Sequence, residues 1–356
     1  MKRPIRLLAI ILTITLLLSA CDILHFPEPT DSTYEADNVE SGLTVYFIDV
    51  GQAESALIVC CHGSTMMIDG GNVADSDLIY TFLNDRGITH LDYVVATHGH
   101  EDHVGGLSAA VRLATVGVAL SPVTEYDSRA FNNFVQNLDD QGVSITVPSH
   151  GDAFALGGAE VLIVGPVQEY RNHNDMSLVM LITYGETSFL FTGDAEHASE
   201  LDIIEAGYDI SATVLSVSHH GSDTSTSYPF LREVSPEFAV ISCARNNQYG
   251  HPSEDVLSRL HDADVVLYRT DMQGTITAYS DGMYVSFSVE RNENIDTNPD
   301  IPPASEGEPY YIGNTNSRIF HRPSCSGLPS EQNRIILDSL EMAFTEGYTS
   351  CGRCNP

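Results

Sequence analysis

The sequence predicts an α/β fold of four layers, in which two β-sheets pack face to face and helices cover their outer sides, followed by a small metal-stabilised module. Three observations lead there. Two strand-rich halves with interspersed helical stretches fill the middle of the chain, glycines after the strands allow tight turns that display polar side chains, and paired His and Cys residues cluster near the C-terminus.

The N-terminal residues 1–20 begin with Lys2, Arg3 and Arg6, continue through an apolar run from Leu7 to Leu18, and reach Ser19 and Ala20 before Cys21, the pattern of a secretory signal peptide. Leu18-Ser19-Ala20-Cys21 resembles the bacterial lipobox. That resemblance implies lipidation of Cys21, anchorage on the extracytoplasmic face of a bacterial membrane, and no transmembrane helix in the mature chain. Residues 21–41 are polar, rich in Asp, Glu, Pro and Ser, and read as a tether.

Strands are expected at 43–50, 56–61 and 65–68, the last running into Asp69-Gly70-Gly71-Asn72, then a helix over 77–85 and a buried strand over 92–97. Later strands fall at 160–164, 177–184, 188–192, 212–217, 238–242, 265–268, 274–279 and 283–289. Helices are expected near 128–141, 197–206 and 253–261. Together these define one large domain over 42–290. Behind the strand at 92–97 comes His98-Gly99-His100-Glu101-Asp102-His103, three histidines and two carboxylates in six positions of a strand-to-helix loop. Imidazole nitrogen suits zinc and its neighbours and carboxylate oxygen suits harder ions, so this set can hold two divalent cations side by side.

Residues 291–308 lose the apolar alternation and read as a linker to a module over 309–356, with a helical stretch at 331–346. His321-x3-Cys325 and Cys351-x2-Cys354 supply four soft ligands in two pairs, the pattern of a closed structural zinc. A disulfide from Cys325 to Cys351 or Cys354 is the alternative in an oxidising exterior. A module this small has little core, so the metal would contribute much of its stability. Phe320-His321-Arg322-Pro323-Ser324-Cys325 and Gly347-Tyr348-Thr349-Ser350-Cys351-Gly352-Arg353-Cys354 resemble the metal-binding domain of the Ada alkylation-repair protein. The resemblance implies one structural zinc. His321 stands where Ada has its methyl-accepting cysteine, so methyl transfer is not implied.

The chain has 16 basic against 49 acidic residues, a net charge of −33, which repels polyanions unless metal ions or a local basic patch compensate. Cys60, Cys61 and Cys243 lie in apolar runs and read as core. No serine or cysteine nucleophile and no P-loop is evident.

The order of motifs resembles the metallo-β-lactamase superfamily, an αβ/βα sandwich with metals at one edge of its two sheets, and within it the hydrolase domain of the competence DNA-uptake protein ComEC. The motifs are Phe47-Ile48-Asp49-Val50-Gly51-Gln52-Ala53, Ile68-Asp69-Gly70-Gly71, His98 to His103, Ser177-Leu178-Val179, Phe191-Thr192-Gly193-Asp194, Ser218-His219-His220-Gly221-Ser222 and Tyr249-Gly250-His251-Pro252. The multi-pass channel of ComEC proteins is absent. By this resemblance His98 and His100 bind a first divalent ion, Asp102 and His103 a second, and Asp194 bridges both. His219 or His220 completes the second site, and the other histidine serves as a proton donor or phosphate contact. For the third ligand of the first ion the superfamily has a histidine, matched by His173 four residues before Ser177, whereas ComEC-like sequences carry asparagine. Without His173 the first ion would be labile, and manganese could replace zinc. Asp69 either orients a ligand histidine or forms a turn, and His251 and Asn247 either line the cleft or shape their loop. Asp102, His219, His220 and His251 are the expected catalytic group.

The function expected is that of a lipid-anchored, metal-dependent phosphodiesterase, a nuclease acting on DNA by in-line attack of water, with a histidine protonating the leaving oxygen. A cell-envelope phosphodiesterase acting on teichoic acid and a non-catalytic binding protein with a degenerate site are the alternatives.

Overall fold

A computed structural model describes residues 42–298, 310–323, 325, 327–337 and 340–354. The expected signal peptide, Cys21 and the tether lie outside the described residues, as does the linker from residue 299 on.

Eight strands form a first sheet: β1 Leu43–Phe47, β2 Ala56–Val59, β3 Thr65–Ile68, β4 His90–Val95, β5 Thr115–Leu120, β6 Ile145–Thr146, β14 Ile276–Ser280 and β15 Val285–Val289. Seven form a second: β7 Ala153–Leu156, β8 Ala159–Gly165, β9 Val179–Tyr184, β10 Thr187–Phe191, β11 Val214–Ser216, β12 Phe238–Ile241 and β13 Val266–Arg269. Their orders are β15-β14-β1-β2-β3-β4-β5-β6 and β13-β12-β11-β10-β9-β8-β7. Alternation in β1 sends Leu43, Val45 and Phe47 into the space between the sheets, where they meet Met180, Ile182, Phe189 and Phe191 of β9 and β10. Phe47 and Phe191 stack across the sandwich with ring centroids 5.7 Å apart. Each such large side chain, fully buried, stabilises the fold by about 1.5–3 kcal/mol.

Helices α1 Ser76–Asp85, α2 Glu101–Val104, α3 Leu107–Leu113 and α4 Arg129–Asp140 follow strands of the first sheet, and Ile79, Leu83, Leu107, Phe131 and Phe134 close a second core on its outer face. Helices α5 His197–Ala206, α6 Tyr228–Val234 and α7 Glu254–Asp262 do the same for the second sheet through Ile203, Phe230, Leu231, Val256 and Leu260. The four layers of the expected sandwich are therefore present. Among the described residues no helix is long and apolar enough to cross a membrane.

Parallel pairing decides where polar groups collect. β3 to β6 pair in parallel, as do β10 to β13. Asp69 follows β3, His98 to His103 follow β4, Asp194 follows β10, His219 and His220 follow β11, and His251 lies beyond β12. All of these loops leave the C-terminal ends of parallel strands, where open α/β sheets present their ligand-binding residues.

The C-terminal module carries its own sheet of β16 Tyr311–Asn314, β17 Ile319–His321, β18 Arg334–Leu337 and β19 Thr349–Ser350, ordered β18-β16-β17-β19, with α8 at Leu340–Thr345. The single helical stretch expected over 331–346 is corrected: a 3-10 turn at Glu331–Asn333 leads into β18, which pairs antiparallel with β16, and helix begins only at Leu340. Ile335 and Ile336 are β-branched and favour the pleated strand. The module's core is Phe320, Leu337, Ala343 and Tyr348.

Two loops interlock at the foot of the histidine motif. The Gly70 N–H donates to the His103 carbonyl at 2.6 Å, the Gly106 N–H to Gly71 at 3.2 Å, and a Cβ on Gly106 would collide with the Gly70 carbonyl oxygen. Gly106→Ala is therefore expected to lower stability by about 1–3 kcal/mol through overpacking, read as an earlier chemical-denaturation midpoint. An unchanged midpoint would show that the loops can separate without cost.

Candidate metal centre

The loop after β4 holds its histidines by local and distant contacts. Gly99 has no side chain because the Tyr126 ring occupies that place, with Cδ2 2.6 Å from where a Cβ would stand. Buried Asp69 accepts the Thr97 N–H at 2.8 Å, the Thr97 hydroxyl at 2.6 Å and a hydrogen bond from His103 Nδ1 at 2.7 Å. That bond fixes the His103 tautomer and turns Nε2 inward.

Asp194, on the turn after β10, stands between two groups of ligand atoms. Its Oδ1 lies 3.2 Å from His103 Nε2 and 3.8 Å from His220 Nε2, and Asp102 Oδ2 lies 3.4 Å from His220 Nε2. Its Oδ2 lies 3.7 Å from both His98 Nε2 and His219 Nε2, and His98 Nε2 is 2.9 Å from His100 Nδ1. Four ligands at 2.0–2.1 Å around one ion would stand roughly 3.3 Å apart; the separations linking His103, Asp194, His220 and Asp102 run from 3.2 to 3.8 Å, and the ligand atoms of Asp102, His103 and His220, and those of His98, His103 and Asp194, each lie within 4.8 Å of one another. His103 Nε2, Asp194 Oδ1 and His220 Nε2 are buried and have no hydrogen-bond partner. Three orphaned acceptor-capable atoms facing one point are what a cation would satisfy.

The electrostatics agree. Burial works against the His103 imidazolium, yet Asp194 and Asp69 hold its pKa well above the ordinary value, and His220 is raised despite burial by Asp194 and Asp102. Burial would raise Asp194, but His103 and His220 hold it well below. These carboxylates draw positive charge inward. Divalent metal supplies it without protons. Burial lowers His98 and His100, leaving both as neutral imidazoles suited to coordination.

The adjacent histidines separate to opposite sides. His219 (φ 52°) and His220 (φ 55°) both adopt left-handed backbone, which L residues rarely occupy in succession. The turn is held by His219 N–H to Gly193 O at 3.0 Å and by Ser218 Oγ to Ala195 O at 2.6 Å. His220 Nδ1 donates to Ser242 O at 3.0 Å, aiming Nε2 at Asp102 and Asp194, while His219 faces Asp194 Oδ2 on the side of His98. Behind this loop, buried Glu200 accepts the Thr226 and Ser227 N–H groups, and Arg259 Nη1 donates to the Ser225 and Thr226 carbonyls at 2.7 and 3.1 Å.

Placing His173 among the ligands is corrected. It is exposed, its ring packs 5.0 Å from Tyr126 and 6.2 Å from His100, and the neighbouring Asn174 takes the inner position, with Nδ2 3.4 Å from His219 Nε2. Glu196 decides this phase: Oε1 accepts from Asn174 Nδ2 at 2.9 Å and Oε2 from Asn172 Nδ2 at 3.0 Å, pinning both amides. Asn247 does not line the cleft, because its amide is used within its own loop. Its Oδ1 accepts the Tyr249 and His251 N–H groups at 3.0 Å, and its Nδ2 donates to the Ala244 and His251 carbonyls. His251 does reach the site, with its ring 5.6 Å from His219 and Nδ1 3.4 Å from Gln52 Nε2. Burial, with His219 and His220 nearby, holds it down to about 4, so at neutral pH it is an uncharged hydrogen-bonding group and not a cationic proton donor.

Glu54 escaped the sequence reading. It is buried beneath the site, accepts the Ser216 hydroxyl at 2.8 Å, and burial pushes its carboxyl up to about 7 despite the nearby His103. Its place in Gly51-Gln52-Ala53-Glu54-Ser55, a turn between two strands of the first sheet, was the available signal. In the C-terminal module His321, Cys325, Cys351 and Cys354 bring their ligand atoms within 4.8 Å of one another. Cys325, Cys351 and Cys354 each lie 3.4 Å from a backbone N–H, of Gly327, Arg353 and Arg322 respectively.

Burial pushes the Glu200 carboxyl from 4.5 up to about 7, against the pull of the Ser227 and Thr226 N–H groups. The folded state therefore binds the extra proton; this contribution to stability is present below pH 4.5 and lost as pH rises through 7. Relative to Glu200→Gln, the native chain is expected to lose on the order of 3 kcal/mol across that window, read from denaturation midpoints at its two ends. Parallel pH profiles for the two proteins would contradict it. Asp69→Asn replaces the acceptor of His103 with an amide and is expected to weaken metal binding at the inner site roughly 10–100-fold, read by titration of the metal-free protein. Unaltered affinity would show that His103 needs no such support.

The chain matches the profile described as the metallo-beta-lactamase superfamily over residues 48–245 and that of the metal binding domain of Ada over residues 303–356. It is 28% identical over 263 residues to ComE operon protein 3 of Bacillus subtilis, covering 69% of this chain and 34% of that protein. Competence protein ComA of Neisseria gonorrhoeae is 29% identical over 240 residues, 67% of this chain and 32% of that one. Recombination protein 2 of Haemophilus influenzae is 30% identical over 261 residues, 71% and 30% respectively. The chain thus spans about a third of the length of these curated relatives. Among solved structures, the metallo-beta-lactamase fold protein YhfI of Bacillus subtilis aligns at a TM-score of 0.46 and 11% identity, over 70% of this chain and 100% of that one. With a profile match running from the loop after β1 to the loop after β12, and an Ada-like metal-binding module beyond it, this chain belongs to the metallo-β-lactamase superfamily.

Proposed function

We propose that this chain is a metal-dependent phosphodiesterase that cuts nucleic acid outside the cell membrane, anchored through a lipidated Cys21. The carrying observation is the Asp194 carboxylate, each of whose oxygens faces a separate group of ligand atoms. His98, His100, Asp194 and His219 would hold one divalent ion, zinc or manganese, and Asp102, His103, Asp194 and His220 the other. Bound there, such ions acidify water and withdraw charge from a phosphate and its leaving oxygen. The chain's own part is to orient and exclude. Asp69 keeps His103 in one tautomer, Ser242 does the same for His220, and Glu196 holds Asn174 against His219.

The polynucleotide substrate is inferred from relatives named for competence and recombination. The domain reading goes with it: signal peptide 1–20, tether 21–41, hydrolase 42–290, linker 291–308, and a zinc module over 309–356 held by His321, Cys325, Cys351 and Cys354.

Purified protein given manganese or zinc is expected to hydrolyse a chromogenic phosphodiester, with Asp102→Ala and His103→Ala each reducing kcat roughly 100-fold or more. Absence of turnover with either metal sinks the proposal. Cleavage of teichoic acid in preference to DNA and RNA would keep the chemistry and replace the substrate.

A further inference from the structure

A nuclease with this composition lacks the usual means of holding a polyanion. Its only lysine is Lys2, and 49 acidic residues outnumber 16 basic ones. Cationic binding of the backbone is the ordinary source of nucleic-acid affinity, so a grip on the strand beyond that of the metal ions themselves has to act on another part of the nucleotide.

The loop between β12 and α7 offers such a part. Tyr249 is 63% exposed although it is a large aromatic residue next to the metal centre. Its ring lies 5.7 Å from that of His251 at 29°, and His251 lies 6.5 Å from His220 at 24°. Both pairs have the spacing of offset parallel stacks. The result is a row of roughly parallel rings leading from His220, beside Asp102 and Asp194, out to solvent. The row is pinned from beneath: Asn247 Oδ1 accepts the N–H groups of both Tyr249 and His251, and Gln52 of the turn between β1 and β2 contacts His251 Nδ1 while accepting the Ala244 N–H at 3.1 Å. An exposed ring on a braced loop loses little entropy when it acquires a partner. Arg245 is the only cationic residue between Cys243 and Ser253 and is exposed.

We infer that Tyr249 is a base-stacking platform that extends the His220–His251 row and holds the unpaired nucleobase next to the scissile phosphate. This rests on the phosphodiesterase reading and deepens it by selecting single-stranded ends or segments, since a base within a duplex has no free face. Stacking is tolerant of sequence because every base has a π-face.

The test compares steady-state cleavage of a short single-stranded oligodeoxynucleotide with that of its abasic counterpart, for the full chain loaded with manganese. Tyr249→Ala is expected to raise KM for the base-bearing strand roughly 10-fold or more, the scale of one lost stack, leaving kcat/KM for the abasic strand unchanged. Tyr249→Phe is expected to retain the native KM, because stacking needs the ring and not the hydroxyl. If the unsubstituted chain cuts neither strand, the phosphodiesterase reading itself falls and takes the platform with it. If it cuts both strands and Tyr249→Ala leaves the base-bearing KM where it was, the platform alone is refuted.

Discussion

Asp194 is a carboxylate buried at the meeting edge of two sheets, and the arrangement around it follows from the need to balance its charge. Its N–H is bound by Ser177 Oγ at 3.0 Å, and Gly193 before it turns through a positive φ of 49° with Thr97 packed where a Cβ would stand. Burial of an unpaired charge costs several kcal/mol. Here Asp69, Asp102 and Glu54 add further acidic groups around the same point, and the groups that face them are imidazoles and the neutral Thr97 and Ser216 donors. Neutral imidazole brings no charge, so the cluster is balanced only when protons or cations enter, as the raised values of His103 and His220 register. The sandwich places strand ends together, and the carboxylate cluster converts that placement into a demand for metal.

What could be read from the sequence was what local grammar encodes. His98 to His103 sit behind a buried strand and ahead of a helix, so residue types and spacing alone announced a metal loop, and alternation marked strands such as Leu43–Phe47 and Val285–Val289. Less legible were choices made by distant partners. Whether His173 or Asn174 turns inward is a one-residue phase set by Glu196, more than twenty positions away. The side taken by each of His219 and His220 depends on two successive left-handed residues, a conformation that no propensity assigns to histidine. β5, β6 and β7 escaped: β6 is only Ile145–Thr146, β7 only Ala153–Leu156, and Gly117, a residue depleted in strands, interrupts the short alternation of Thr115–Leu120.

The acidity of the chain bears on where recognition takes place. At physiological salt the field of the 49 carboxylates is screened beyond about 8–10 Å, so a polyanion is repelled only in the last approach. Inside that range two divalent ions between Asp194 and the histidines would reverse the local sign. Attraction would then be confined to the cleft, and the rest of the surface would discourage unproductive adhesion. A basic protein binds nucleic acid over its whole face and must then search for the site; an acidic one engages where the metals are.

The C-terminal module touches the hydrolase domain through an ion pair between Arg322 and Asp255 at 3.0 Å, and its position invites the idea of signalling. Arg322 follows His321 of the His/Cys cluster, and Asp255 lies in the first turn of α7, whose cap Ser253 stands two residues after His251. The magnitude argues otherwise. Arg322 is nearly half exposed and Asp255 about a quarter, and pairs of that kind contribute about 0–1 kcal/mol. A coupling that small would alter His251 or its neighbours by less than about a factor of five. That ion pair therefore gives the module little leverage on the His251 loop.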